Sequence, residues 1–225
     1  MKPTWRTDWL QWLLMAGMFL LAAASWSRVP ERLPVHWNFQ GHVDRMGGKF
    51  EGLLVVPLLT AGMYVLLLFV PRIDPGRENY ERFLGTYHAF RNLFVAFMAA
   101  LYGVMHLSFR GHALQMGTFI MPGLGVLFIF LGNLFGKLRP NWFIGIRTPW
   151  TLTSKQSWVR SHRLGGWVFI LGGVAFLVAG LLRRPWLNAV AMGVFGAGLI
   201  GVTIYSWWVW KHDPDKVAPA GTHPA

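Results

Sequence analysis

Six stretches of this chain are long, apolar and free of charge, and that partition limits its fold more than any other feature. A helix needs about 20 apolar residues, at 1.5 Å rise each, to cross the ~30 Å hydrocarbon core of a bilayer. Stretches 9–27, 52–70, 92–109, 117–136, 164–182 and 186–210 meet that need, and none of the 21 Lys+Arg or 9 Asp+Glu falls inside them. Buried helices of soluble proteins are usually shorter and interrupted by charge. The whole chain is 13% charged, about half the share of a soluble domain. The pattern predicts an all-α integral membrane protein built as a bundle of six transmembrane helices.

The first stretch has some look of a cleavable leader. Lys2 and Arg6 precede it, and Ala22-Ala23-Ala24-Ser25 is a run of small residues. Yet it is longer than the 7–15 apolar residues of a leader and carries Trp9, Trp12 and Trp26, so it is expected to stay as the first helix. With six spans both termini share one side. That side carries 14 Lys+Arg and the other 7. The positive-inside rule therefore places both termini in the cytoplasm, residues 28–51 outside and residues 137–163 inside. The net charge of +12 is accounted for by this orientation, and no direct nucleic-acid partner is expected. The absence of cysteine excludes disulfides, thiolate metal sites and Cys nucleophiles.

Small residues mark where helix backbones can approach in lipid. Ala189, Gly193, Ala197 and Gly201 recur every fourth position and form one stripe on the last span. Gly132 and Gly136, and Ala175 and Ala179, share that spacing. The expectation is packing within the bundle, and the alternative for the stripe is a homodimer seam. Trp5, Trp9, Trp186, Trp207, Trp208 and Trp210 lie at span ends, where amphipathic rings favour the headgroup layer.

Two connecting segments carry the remaining information. In the outer one, His36, Asn38, Gln40, His42 and Asp44 alternate with Val35, Trp37, Phe39 and Val43, which predicts a short extended segment with one polar face. Gly41 is placed to end it, and Gly47-Gly48 is a turn signal. His36, His42 and Asp44 are metal-ligating types, but their spacing is not helical and no fourth ligand is evident. A packed extracytoplasmic cap without metal is expected, and no cofactor. In the inner segment, Lys137 to Arg163 hold six basic residues and no acid. Thr153 and Gln156 fit a capping box, predicting a short interfacial helix over 154–163 in the fourth loop, with Trp158 and His162 on one face. Pro149 disfavours helix at Thr148, so 139–152 is expected to be an ordered loop along the headgroups. Lipid anchoring alone would explain its charge and aromatics. The Gly, Pro, Asn and Thr content instead points to defined turns.

The run Asn141-Trp142-Phe143-Ile144-Gly145-Ile146-Arg147-Thr148-Pro149-Trp150-Thr151-Leu152, followed by Trp158 and by His162-Arg163-Leu164-Gly165-Gly166, resembles the signature of the SdpI family of bacterial multi-pass membrane proteins. The outer residues Pro34, His36, Asn38, Gly41, Asp44 and Lys49 resemble the domain of unknown function that often precedes it. The resemblance implies an N-terminal membrane half (1–110), an SdpI-like half (111–210) with its motif at 132–166, and a cytoplasmic tail (211–225). The Pro-rich tail is expected to be disordered. It also implies the bacterial cell membrane, immunity to an extracellular peptide toxin and signalling through a cytoplasmic transcriptional repressor; residues 33–49 and the outer span ends are expected to meet the toxin. Asn141, Gly145, Arg147, Thr148, Pro149, Trp150, Trp158, His162 and Arg163 are the candidate residues of the inner site, and Pro34, His36, Asn38, Gly41, Asp44 and Lys49 those of the outer one. Arg147 stands out because its fork can pair bidentately with carboxylate or phosphate.

Two other classes compete. A membrane enzyme acting on a lipid or phosphate-bearing substrate would use His162 as acid–base, but 137–163 contains no carboxylate to orient it. Asp74, Glu78 and Glu81 lie on the same side and can approach it in space. A small-solute transporter would place ionisable groups mid-span. The polar residues noted in the spans, His106, Ser108, Asn133 and Asn188, lie near span ends. No catalytic residue is assigned.

Overall fold

The computed structural model describes residues 5–38, 41–110 and 116–217. Phe39 and Gln40 of the outer segment, the tail beyond Val217 and the side chain of Trp5 lie outside the described residues. Among the described residues, six helices are long and apolar enough to cross a membrane. They are α1 (Trp5–Ser25), α2 (Lys49–Ile73), α3 (Leu84–Phe109), α4 (Gly117–Phe135), α6 (Lys155–Leu182) and α7 (Pro185–Lys211). A five-residue α5 (Pro149–Thr153) and a 3-10 helix (Arg77–Phe83) complete the helical part. One end of the bundle carries the loop between α4 and α6, and is called the motif face below. The opposite end carries the segment between α1 and α2.

That segment is a β-hairpin. β1 (Arg32–Trp37) pairs antiparallel with β2 (Val43–Gly48), Leu33 opposite Gly47 and Trp37 opposite Val43. The run predicted as one extended segment is divided: Val35, His36 and Trp37 lie in β1, Val43 and Asp44 in β2, and Gly41 stands in the turn between them. Gly47-Gly48 is not a turn: it ends β2, and Gly48 in extended backbone is the N-cap of α2. Leu33 is 1% exposed and packs with Ala22, Leu53 and Met105, which fixes the hairpin to the ends of α1, α2 and α3.

The densest helix contact is α4 against α6, and glycine makes it possible. A Cβ on Gly132 would come within 2.5 Å of the Gly166 carbonyl oxygen, and one on Gly125 within 2.6 Å of that of Gly173. The two pairs are each seven residues apart on antiparallel helices, so they share one seam. The predicted stripe on the last span does something else. Ala189, Gly193, Ala197 and Gly201 are all exposed, and nothing lies within 4 Å of a Cβ built on Gly193 or Gly201. It is not a packing seam of this bundle. α7 packs through its other faces, with Gly198 on Val168 and Phe195 on Gly172.

Two charged residues that lie outside the predicted spans are buried in the helices. Asp8 (0% exposed) of α1 is ion-paired with Arg91 (1% exposed) of α3, and His88 Nδ1 stands 3.7 Å from the same Asp8 oxygen. Gln11 donates to Asn92 beside them. Sequence alone kept them apart because each lies in the first turns of its helix, next to the limit of the apolar run. Burying the pair is tolerable because each charge has a partner.

Candidate functional site

The inner loop folds as one hydrogen-bonded unit around Asn141, which is 1% exposed. Its amide nitrogen donates to the carbonyls of Arg139 (2.9 Å) and Ile144 (3.0 Å). Its oxygen accepts from the backbone N–H groups of Phe143 (3.0 Å) and Ile144 (2.7 Å). A side-chain amide has two donors and two acceptor lone pairs, and all four are used. No other side chain of that size offers this set, which explains the residue type.

Gly145 makes the next turn at φ +111, a conformation that side chains rarely adopt. A Cβ there would overlap the His162 ring. The Ile146 N–H donates to His162 Nε2 at 3.0 Å, and His162 Nδ1 lies 2.8 Å from the Trp158 carbonyl. Nε2 must therefore present its lone pair and Nδ1 its proton: the imidazole is neutral in one tautomer. The ring also stacks on Trp158 at 4.0 Å, and Trp158 Nε1 donates to the Leu138 carbonyl at 3.1 Å. Trp158 and His162 share a face as predicted, but neither nitrogen of His162 is free for proton transfer. Its role here is to hold the loop.

The predicted interfacial helix at 154–163 is instead the first part of α6, one rod of 28 residues from Lys155. Nothing breaks it: Gly165 and Gly166 serve as close-contact positions against Ile146 and the Gly132 carbonyl. At ~42 Å it exceeds the hydrocarbon core, so its first turns project to carry the loop. The short helix of the fourth loop is α5. Its capping box pairs Thr148 with Thr151, not Thr153 with Gln156, and Pro149 opens it at the first helical position. The Pro149 signal that removed Thr148 from a helix marked an N-cap, and Ser154 caps α6 through Ser157 N–H.

An acid does reach the motif. Asp74, at the end of α2, accepts from Trp142 N–H (3.0 Å), the Tyr80 hydroxyl (2.7 Å) and Gly76 N–H (2.6 Å). It is 1% exposed and braces the loop; it does not touch His162. Among the described residues, Glu78 and Glu81 make no hydrogen bond or ion pair with the loop. On the other flank, Thr148 Oγ1 lies 3.3 Å from Ser206 Oγ, and Ser157 donates to the Ser206 carbonyl at 2.7 Å. Ser154 donates to Asp213, and Val217 N–H to the Thr153 carbonyl at 2.9 Å. So the tail, expected to be disordered from Lys211, is docked on the motif as far as Val217. Tyr80, in a charged connection, Ser206, in an apolar span, and Asp213, in the tail, were missed because their local settings gave no signal.

What remains exposed is a small basic and aromatic surface. Trp142 is 54% and Phe143 37% exposed, with the exposed Arg139 and Arg147 on the same loop, and Arg163 is exposed on α6. Arg147 spends one N–H on the Trp142 carbonyl at 2.8 Å and makes no ion pair among the described residues. The rest of its fork is open. Trp150 is half-buried and Pro149 exposed.

At the hairpin, His36 Nδ1 bonds Asp44 Oδ1 at 2.6 Å across the strands. Asn38 organises the turn: its oxygen accepts from His42 N–H (2.9 Å), and its backbone exchanges bonds with His42 and Gly41. Gly41 (φ +82) lies against the start of α4, where a Cβ would come within 2.9 Å of Gly117 N. Pro34 is in β1 opposite Met46. Lys49 opens α2 and pairs with Glu31 at 2.8 Å. Pro34, His36, Asn38, Gly41 and Asp44 thus lie in the hairpin and Lys49 at the start of α2, and His36 and Asp44 come together without His42.

Comparison with known proteins fits this division. Residues 137–206 match the SdpI/YfhL protein family, and residues 13–61 match a domain of unknown function, DUF1648. The chain is 22% identical over 200 residues to the immunity protein SdpI of Bacillus subtilis (strain 168), covering 88% of this chain and 93% of that one. No solved structure matches. The inner loop lies wholly in the first matched region and the hairpin in the second. Together with six helices long and apolar enough to cross a membrane, these matches make the chain similar to the SdpI/YfhL protein family through its inner loop and to DUF1648 through its hairpin.

Proposed function

We propose that this chain is a bacterial membrane immunity protein that protects its cell from an extracellular peptide toxin. The observation that carries the reading is similarity to an immunity protein along nearly the whole length of both chains. Two further features support it. The hairpin is a built structure with its own turn and cross-strand pair, seated on the ends of four helices. The exposed Trp142, Phe143 and Arg147 stand on a loop whose every buried group is committed to holding it. In this reading both termini are cytoplasmic, following the Lys+Arg asymmetry. The hairpin side meets the toxin, and the motif surface takes either the inner-leaflet headgroups or a cytoplasmic partner, of which a transcriptional repressor is one. Deletion of the gene in its host, followed by challenge with medium from neighbouring cells and a peptide-toxin panel, should lower survival. Restoration should follow from the intact gene. Unchanged survival of the deletion strain across the panel would overturn the proposal.

A further inference from the structure

The motif face also carries an open cleft of about 1100 Å³. Four elements meet around it: the 3-10 helix, the inner loop, the joint between α5 and α6, and the chain that follows α7. Three exposed cations stand in its wall, Arg82, Arg139 and Lys155, and none makes an ion pair among the described residues. Like charges around one concavity focus their field into it and draw in anions. The carboxylates of the lining are Asp213 and Asp215, both from the tail. Three cations against two acids leave the lining at +1 with the tail docked, and the same three without the tail leave it at +3.

The seating of the tail shows which chemistry these walls take. Ser154 donates to the Asp213 carboxylate, and the Thr153 carbonyl accepts from Val217 N–H at 2.9 Å. A carboxylate and a backbone N–H a few residues apart are the marks of an acidic peptide. Inorganic phosphate and a phosphodiester backbone supply acceptors without that N–H. The cleft is also larger than the ~300–1,000 Å³ of a small-molecule site, so it has room for a length of chain. Lipid is excluded by position. Lys155 precedes Leu164, where the apolar run of α6 begins, by nine residues, or ~14 Å along the helix, and the headgroup layer is only about 5–8 Å deep. We propose that the cleft docks an acidic segment of a cytoplasmic protein, and that the tail is its built-in competitor, displaced from Ser154 and Thr153 when the segment binds. This rests on the cytoplasmic placement of the motif face in the reading above, and gives its partner a charge, a seat and a means of control.

The chain contains no cysteine, so a spin label at Val217→Cys reports on tail docking without background. The full-length protein is placed in nanodiscs of phosphatidylcholine, which bears no net charge. The probe is a capped decapeptide of alternating Asp and Ser. It should free the label at a concentration at least tenfold lower than the matching Asn/Ser peptide, inorganic phosphate or a ten-nucleotide thymidine strand. These comparisons change the ligand and leave the protein untouched, so they do not depend on the folding of a variant. Carrying a fluorophore, the acidic peptide should bind Asp213→Asn at least fivefold more tightly than the unsubstituted chain. It should bind the Arg82→Gln, Lys155→Gln double variant at least fivefold more weakly, while the Val217 label there stays immobile, since neither side chain holds the tail. Equal action of the neutral peptide, of phosphate or of the thymidine strand overturns the proposal. So does equal binding to Asp213→Asn, or binding that ignores the double variant. No toxin enters the assay. If deletion leaves survival unchanged while the peptide still frees the tail, the immunity reading fails and the cleft stands; the reverse pair of results fails the cleft alone.

Discussion

Gly145→Ala is the sharpest test of how the inner loop is built. The native φ of +111 lies where an L side chain meets its own backbone, so alanine brings strain of about 1–3 kcal/mol. The new Cβ also overlaps His162, which must move. Moving it breaks the Ile146 N–H bond and the stacking on Trp158, and an unmet buried group costs ~1–3 kcal/mol. The sum is about 2–6 kcal/mol, charged to the loop alone, because α4 and α6 keep their glycine seam on the membrane side of it. At ~1.4 kcal/mol per tenfold, opening of the loop should rise by a factor of about 30 to 20,000. Inside-out vesicles treated with trypsin read this directly at the Arg147–Thr148 bond, just after the turn. The variant should be cut there at least tenfold faster while helix content and membrane level stay normal. Equal cleavage of the two proteins would show that the turn does not rest against His162, and the site geometry would have to be abandoned.

Four other outcomes are expected. Gly132→Leu puts a side chain where a Cβ already comes within 2.5 Å of the Gly166 carbonyl, so α4 and α6 must separate. Thermal unfolding in detergent should fall by several degrees, consistent with an overpacking cost of ~1–3 kcal/mol, whereas Gly193→Leu, facing open space, should shift it little. The hydrogen bond from Ser154 holds the Asp213 carboxyl below its ordinary range, so tail docking persists at neutral pH and is lost as pH falls below about 4. A spin label at Val217→Cys should be immobile at pH 7 and mobile in acid, and mobile at both when combined with Asp213→Asn; constant mobility would refute the link. Arg147→Lys keeps a donor for the Trp142 carbonyl, so the loop should change by less than ~1 kcal/mol while protection against toxin drops, because the open fork is gone. Cysteine at Val43, on the exposed side of the hairpin, should react with an impermeant thiol reagent on whole cells, and cysteine at Phe143 only after lysis; the reverse pattern inverts the orientation.

The six helices could be read from the chain because lipid imposes a local rule. Every residue of a span must satisfy it, so a run such as Gly117–Phe135 announces itself without knowledge of its neighbours. The errors came where that rule stops. Asp8 and Arg91 sit at the margins of their apolar runs, and only pairing across α1 and α3 lets them be buried. The stripe on α7 obeys the same four-residue spacing as a packing face, yet spacing names a face and not what meets it. The real seam was present as a seven-residue repeat, Gly125 and Gly132 against Gly166 and Gly173, and could have been found only by comparing two spans at once.

The inner site shows the same limit in reverse. Its residue types were singled out because turns need Asn, Gly, Pro and Thr, and Thr148-Pro149 turned out to be a helix start. What each side chain does could not be read locally, because the partners are distant in sequence. Asp74 meets Trp142 from α2, and Ser206 and Asp213 come from α7 and beyond. Reaching them makes the loop a junction of three helices, so its exposed Trp142, Phe143 and Arg147 move only if those helices move. The far ends of α4 and α6 line a cavity under the hairpin, and Gly125 and Gly132 lock the two helices together between the faces. A contact that shifts one helix at the hairpin face must therefore shift the other or break the seam. Any signal crossing this protein would be carried as rigid displacement of that pair.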